Sequence, residues 1–277
     1  MDLNNSNPAA PVIAFIGGGQ MATALIAGLV RSGAAPGSIV VVEPDAAQRD
    51  RLTSANGLRA FAAADPALAD AGLVVWAVKP QVLPDAIRPV LGSLRAPLHV
   101  SIVAGISTQL LSRWLESDRV VRVMPNTPAL VGAGVTGMLA TGGVTPSDRQ
   151  RVEQLFRATG YTFWVEGDDR IDAVTAVSGS GPGYVFQFLA SFQEAAQAIG
   201  FSQEQARELV LRTAAGAIEQ ARTDATPFTT LRDRVTSKGG TTEAALEVMT
   251  RNNMPQAISQ AVARALERAQ ELSGCVK

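Results

Sequence analysis

The feature that most constrains this chain is a change of texture past its midpoint. Up to about residue 165, short runs rich in β-branched residues alternate with segments of helical spacing. The runs fall at 12–16, 38–42, 73–78, 99–102, 120–124, 135–140 and 161–165. Helical signals lie between several of them, at 21–30, 44–52 and 108–115. Strands alternating with helices predict βαβ units and a mostly parallel sheet. The last two runs, joined by 145–160, extend or edge that sheet. After Asp168 the β pattern stops. Val185, Leu189, Phe192, Ala196 and Ile199 share one helical face, and Ala206, Leu209, Val210, Thr213, Ala214, Ala217 and Ile218 repeat at three-and-four spacing. So do Ala257, Ile258, Ala261, Val262, Ala265, Leu266 and Ala269, after Met254-Pro255 at a helix start. The expected organisation is an α/β domain over 9–166 followed by an all-α domain over 167–277. The first two long helices of that second domain are apolar over more than half their circumference. A domain of about 110 residues has little interior to hide them, so a subunit interface is expected to cover them. Residues 1–11 read as a loose polar tail.

Composition removes whole classes of chemistry. The 277 residues contain one cysteine, Cys275, and one histidine, His99, so neither an internal disulfide nor a zinc site of several His or Cys ligands can form. No metal site is expected. A Ser-His-Asp triad would have to use His99, which lies in an apolar run and reads as a buried structural imidazole. Twenty-four Lys+Arg against 25 Asp+Glu leave a net charge of −1, which gives no footprint for nucleic acid or an anionic membrane. No apolar stretch approaches the roughly 20 residues of a bilayer span, and no basic segment precedes an apolar one at the start. A cytoplasmic protein is expected.

The first run enters Gly17-Gly18-Gly19-Gln20-Met21-Ala22 and then a helix, a G-x-G-x-x-A turn between strand and helix. Gly17 permits the sharp turn, Gly19 lets backbone approach a pyrophosphate, and Ala22 keeps helix and strand close. At the first strand of an alternating chain this is a dinucleotide fingerprint; elsewhere it would be only a tight turn. Glu43 ends the second strand, where an acid accepts from the ribose 2′-hydroxyl of NADH and repels a 2′-phosphate. Arg49 and Arg51 are close enough in sequence to receive that phosphate instead, so NADPH and NADH both stay open. Lys79 ends the strand Leu73–Lys79, either beside the ribose or nicotinamide or simply in water. Asn126 and Thr127 follow another strand end and are expected to point into the same crevice, or to cap a turn.

Two further loops lie in the helical part. Ser178-Gly-Ser-Gly-Pro-Gly-Tyr184 opens the first long helix. Val235-Thr-Ser-Lys-Gly-Gly-Thr-Thr-Glu243 precedes the helix at 244–249 and gathers hydroxyl and backbone donors at a helix N-terminus, which suits a carboxylate. An ordinary cap by Thr241 or Thr242 is the alternative.

Taken in order, Phe15–Ala22, Ala77-Val-Lys-Pro80, Met124-Pro-Asn-Thr-Pro128, Ile171-Asp-Ala-Val174, Ser178–Tyr184 and Val235–Thr242 resemble the pyrroline-5-carboxylate reductase family. The resemblance implies reduction of 1-pyrroline-5-carboxylate to L-proline with NADPH or NADH, the last step of proline synthesis. It implies a Rossmann-type domain and an all-α dimerisation domain, with a homodimer that can build larger rings. It assigns Gly17, Gly19, Gln20, Met21, Val78, Lys79 and Ala104 to the cofactor. The glycine turn and strand-end positions add Gly18, Glu43 and Asn126 to the expected cofactor residues, although NADPH-preferring relatives often carry a small polar residue in place of Glu43. Ser237, Gly239, Gly240, Thr241 and Thr242 fall to the substrate carboxylate, with Asp168 nearby. Thr242 is the expected catalytic residue, its hydroxyl near the imine nitrogen. Ala64 and Arg234 stand where relatives often carry Asn. A β-hydroxyacid dehydrogenase, the related alternative, needs a lysine early in the first long helix, and residues 184–200 contain none.

Overall fold

A computed structural model describes residues 12–275; the polar tail at 1–11 lies outside the described residues. The first half builds one eight-stranded sheet in the order β3-β2-β1-β4-β5-β6-β7-β8. Its strands are β1 (Val12–Ile16), β2 (Ile39–Val42), β3 (Arg59–Phe61), β4 (Ala71–Trp76), β5 (Leu98–Ser101), β6 (Val120–Met124), β7 (Gly134–Ala140) and β8 (Gly160–Trp164). Every neighbouring pair is parallel except β6 with β7, so β7 and β8 run opposite to the other six strands. The helices between them are α1 (Gln20–Arg31), α2 (Ala46–Asn56), α3 (Leu83–Leu91), α4 (Thr108–Trp114) and α5 (Pro146–Arg157).

Both faces of the central strands are buried, which is why they read as continuous apolar runs. Phe15 and Val75 face one core with Leu25, Val41 and Phe156; Ile16, Val74 and Trp76 face the other with Leu83, Ile87 and Leu111. Each such side chain contributes roughly 1.5–3 kcal/mol by leaving water. His99 is 3% exposed, and its Nδ1 accepts from Trp76 Nε1–H at 3.3 Å. Burial, and secondarily the Arg119 charge, lower its pKa from 6.5 to about 4, so this is the neutral structural imidazole expected from its setting.

β3 and α3 are among the elements the sequence did not announce, as is α5 in the stretch that joins the last two runs. β3 has only three residues, too few for a period to register. In α3 the buried residues Leu83, Ile87 and Val90 do have helical spacing, but Pro84 and Pro89 make the segment read as a loop.

The remaining helices are α6 (Asp168–Val174), which continues through a π turn at Thr175–Gly179, α7 (Gly181–Ala198), α8 (Gln203–Thr223), α9 (Phe228–Arg234), α10 (Thr241–Arg251) and α11 (Met254–Cys275). No helix among the described residues is long and apolar enough to cross a membrane. The chain divides into two compact units: one runs to Ser180 and includes the stretch from Ala265 onward, and the other is Gly181–Arg264. The division therefore falls after the change of texture at 166/167, and the reason is a buried ion-pair cluster. Arg122 on β6, 2% exposed, donates through Nη1 to Asp168 at 2.6 Å and through Nη2 to Asp172 at 2.7 Å. Asp168 also accepts from the Thr108 N–H and hydroxyl, and Ser273 donates to Asp172. α6, the start of α4 and the end of α11 are thereby fastened to the sheet.

In the second unit, α7 has one buried residue, Ala196, and α8 has two, Ala206 and Val210. Phe186, Phe188, Phe192, Leu209, Ile218 and Ile258 are exposed. The breadth of the apolar faces read from the sequence is thus present as exposed apolar surface.

Candidate active site

The switch point of the sheet lies between β1 and β4, whose neighbours depart in opposite directions, and ligands of open α/β sheets bind outside the strand ends at such a point. A cavity of about 580 Å³ opens there, lined by Gly17, Gly19, Glu43, Ala64, Val78 and Lys79 together with residues of α3. That size is within the range of small-molecule and cofactor sites. Gly17 donates to Val42 O at 2.8 Å, and Ala77 donates to Ile16 O at 2.8 Å, so the two strand-end loops are laced together. Gly17 has φ +99, and a Cβ on it would lie 2.6 Å from Ala77 O. A Cβ on Gly18 would meet Leu52 Cδ1 at 2.6 Å, which gives the middle glycine a packing reason of its own. Gly19 has no atom within 4 Å of its would-be Cβ, as close backbone approach to a ligand requires.

Gly19 is also the N-cap of α1 and offers no side-chain cap. The first-turn N–H groups at Gln20 and Met21 have no acceptor among the described residues. By contrast α2, α4, α5 and α8 are capped by the side chains of Asp45, Ser107, Thr145 and Ser202. An uncapped N-terminus beside a dinucleotide-sized cavity has the chemistry to hold a pyrophosphate.

Glu43 is fixed at the mouth. Its Oε2 accepts from Gly18 N–H at 2.8 Å and its Oε1 from Asp45 N–H at 2.9 Å. Arg49 does not face this carboxylate group: its Nη1 donates to the backbone carbonyls of Glu43 at 2.8 Å and Pro44 at 2.7 Å. Among the described residues lining the cavity, Lys79 is the sole cation.

The other expected cofactor residues lie beyond the cavity lining. Ala104 follows β5 and Asn126 follows β6, on the same carboxyl edge of the sheet. Both ends of the buried Asn126 amide are committed to the protein, Oδ1 to Val135 N–H at 2.8 Å and Nδ2 to Ser178 O at 3.0 Å. Asp168 likewise is held by Arg122 and Thr108, so its carboxylate serves the ion-pair cluster. Arg122, its partner, was not legible as a functional or structural centre, because a lone arginine inside an apolar strand carries no local pattern. Residues of α3 that line the cavity, Asp85 and Ala86 among them, were missed with the helix itself.

In the second unit, the loop from α9 reaches α10 through Ser237, Lys238, Gly239 and Gly240. Gly240 is the N-cap of α10 and, like Gly19, offers no side-chain cap. Gly240 N–H donates to Ser237 O at 3.0 Å, and Gly239 N–H donates to Glu243 Oε2 at 2.6 Å. The N–H groups of Thr241 and Thr242 have no acceptor among the described residues, nor do the hydroxyls of Ser237 and Thr242 have a partner there. The donors free to meet a carboxylate are therefore narrower than the whole 238–242 backbone. Arg234 bonds Asp224 at 2.8 Å, outside this set.

Comparison with known proteins fits this arrangement. A family profile described as pyrroline-5-carboxylate reductase dimerisation matches residues 168–272, and one described as NADP oxidoreductase, coenzyme F420-dependent, matches 12–105. Curated pyrroline-5-carboxylate reductases of Pseudomonas aeruginosa and Haemophilus influenzae are 40% and 39% identical to this chain. The first alignment covers 95% of this chain and 97% of the relative, the second 94% and 97%. A solved pyrroline-5-carboxylate reductase from Coxiella burnetii superposes with a TM-score of 0.87 at 35% identity, covering 94% of this chain and 98% of that one. A Plasmodium falciparum pyrroline carboxylate reductase solved with NADP bound gives 0.85 at 27% identity, covering 95% and 98%. With a glycine-turn cofactor cleft, a glycine-capped donor loop and near-complete alignment to these relatives, the chain belongs to the pyrroline-5-carboxylate reductase family of NAD(P)-dependent oxidoreductases.

Proposed function

We propose that this chain reduces 1-pyrroline-5-carboxylate to L-proline, the last step of proline synthesis, and that it prefers NADH to NADPH. The observation that carries the reading is the pair of long helices, α1 and α10, whose N-caps are glycines and whose first-turn donors are left free. A pyrophosphate suits the first and a small carboxylate the second.

A bound reduced nicotinamide supplies the hydride. The chain's own residues bind and orient. Gly17, Gly18 and Gly19 shape the turn, Gln20 and Met21 direct backbone N–H groups outward, and Val78 and Lys79 line the cavity from the loop after β4. Glu43 accepts from the ribose hydroxyls and repels a 2′-phosphate. Thr241 and Thr242 N–H groups hold the substrate carboxylate, with Ser237 beside them, and Thr242 hydrogen-bonds the ring nitrogen. A protonated cyclic imine is a strong hydride acceptor, so alignment at roughly 3–3.5 Å carries most of the chemistry and no histidine is required. Ala104 borders the cofactor beyond the end of β5, Asn126 holds the turn after β6, and Asp168 anchors α6 to Arg122 and the start of α4.

The exposed apolar faces of α7 and α8 and the dimerisation profile over 168–272 support a homodimer. The test is direct. Purified protein is mixed with pyrroline-5-carboxylate and NADH or NADPH, and loss of reduced-nicotinamide absorbance is followed while proline is assayed. Absence of turnover with either cofactor would overturn the assignment. Light scattering reads the oligomer.

A further inference from the structure

Among the described residues, α5 and α8 each start with a complete capping box. In α5, Thr145 accepts from the N3 backbone while Asp148 reaches back to the N-cap, and Ser202 with Gln205 does the same in α8. Each box has two halves: the N-cap side chain consumes a first-turn N–H, and the N3 side chain ties down the entering loop. α10 keeps one half only. Its N3 residue, Glu243, reaches back with a carboxylate, but its N-cap is Gly240, which has no side chain to consume a donor. The Gly240 N–H is already bonded to Ser237 O at 3.0 Å, so Glu243 reaches one residue further, to Gly239 N–H at 2.6 Å. Gly239 sits at φ +71, one of several conformations open to glycine, and the bond from its N–H to Glu243 restricts that freedom.

We propose that Glu243 is a positioning residue for substrate binding: its carboxylate pins the glycine turn, so that the Thr241 and Thr242 N–H groups stay fixed and vacant for the substrate carboxylate. An acid this close to an anion cradle would otherwise be a liability, since it could fill the donors itself. The geometry turns it away from them, onto the glycine that precedes the cap. Reach, not charge, is what the role demands. The proposal rests on the reading of 237–242 as the substrate loop.

The experiment compares the wild type with Glu243→Ala, Glu243→Asp and Glu243→Gln, measuring kcat and KM for pyrroline-5-carboxylate, KM for the dinucleotide, and melting temperature. Aspartate keeps the charge but is one methylene short; glutamine keeps the reach and an acceptor oxygen. The expected result is a rise of about tenfold in the imine KM for the Ala and Asp variants. Glutamine restores the wild-type value, while the dinucleotide KM and the melting temperature stay within error for all three. An unchanged imine KM in Ala and Asp overturns the proposal. So does a lowered one, which would make Glu243 a competitor of the substrate. An Asp variant like wild type with a Gln variant like Ala would show charge to be the cause, and also overturns it. Wild-type protein that does not reduce the imine at all would instead sink the underlying assignment.

Discussion

Replacing Glu43 by serine should reverse the cofactor preference. The carboxylate is held at the mouth of the cleft by Gly18 N–H at 2.8 Å and Asp45 N–H at 2.9 Å, so it cannot swing aside for a 2′-phosphate without losing two hydrogen bonds. At a separation of ~5 Å and an effective dielectric of ~40, each unit of phosphate charge is repelled by ~1.7 kcal/mol. A phosphate carrying ~1.5–2 charges, screened over a Debye length of ~8 Å, leaves about 2 kcal/mol against NADPH. Serine removes that repulsion and frees both backbone donors for the phosphate. For NADH the same change removes a charged acceptor from the ribose hydroxyls, at about 2 kcal/mol. The two effects act in opposite directions on the two cofactors, so the ratio of kcat/KM for NADPH over NADH should rise roughly a thousandfold. Parallel initial rates at saturating pyrroline-5-carboxylate measure it, with kcat for the better cofactor in each protein as the control. A wild type that favours NADPH tenfold or more, or a variant whose ratio stays put, refutes the reasoning.

Three other substitutions probe separate parts of the molecule. Thr242→Ala should lower kcat by roughly a hundredfold while quenching of NADH fluorescence still reports normal cofactor binding; unchanged steady-state rates would remove the hydroxyl from the reaction. Arg122→Ala leaves Asp172 and Asp168 without their counter-charge and should cost about 3–5 kcal/mol in urea unfolding, and a loss under about 1 kcal/mol would contradict the role given to the cluster. His99 has a folded pKa of about 4 against 6.5 when unfolded, so the unfolded chain binds the extra proton between those values. Its contribution is complete above pH 6.5 and about 3 kcal/mol is lost as pH falls to about 4. His99→Gln should flatten that slope in a pH series of unfolding curves; a slope identical to wild type would assign it to other groups.

Much of the fold was readable because its signals are local. β1 and the glycine turn, the run that becomes β4, and the three-and-four spacing of α8 and α11 each report a period or a steric need carried by a few adjacent residues. The chemistry of the two loops was readable for the same reason: glycine where backbone must come close, a helix start where an anion must sit. β3 and α3 escaped because one is too short and the other is interrupted by proline. What no local pattern could state is where polar side chains spend their hydrogen bonds. Asn126 is taken up by Val135 and Ser178, and Asp168 by Arg122 and Thr108. The sequence by itself determined where glycine-rich turns meet helix starts, since that depends on a few adjacent residues. The tertiary structure decided which of the donors and carboxylates remain free for a ligand, because that depends on partners up to 101 positions apart along the chain meeting at hydrogen-bond distance.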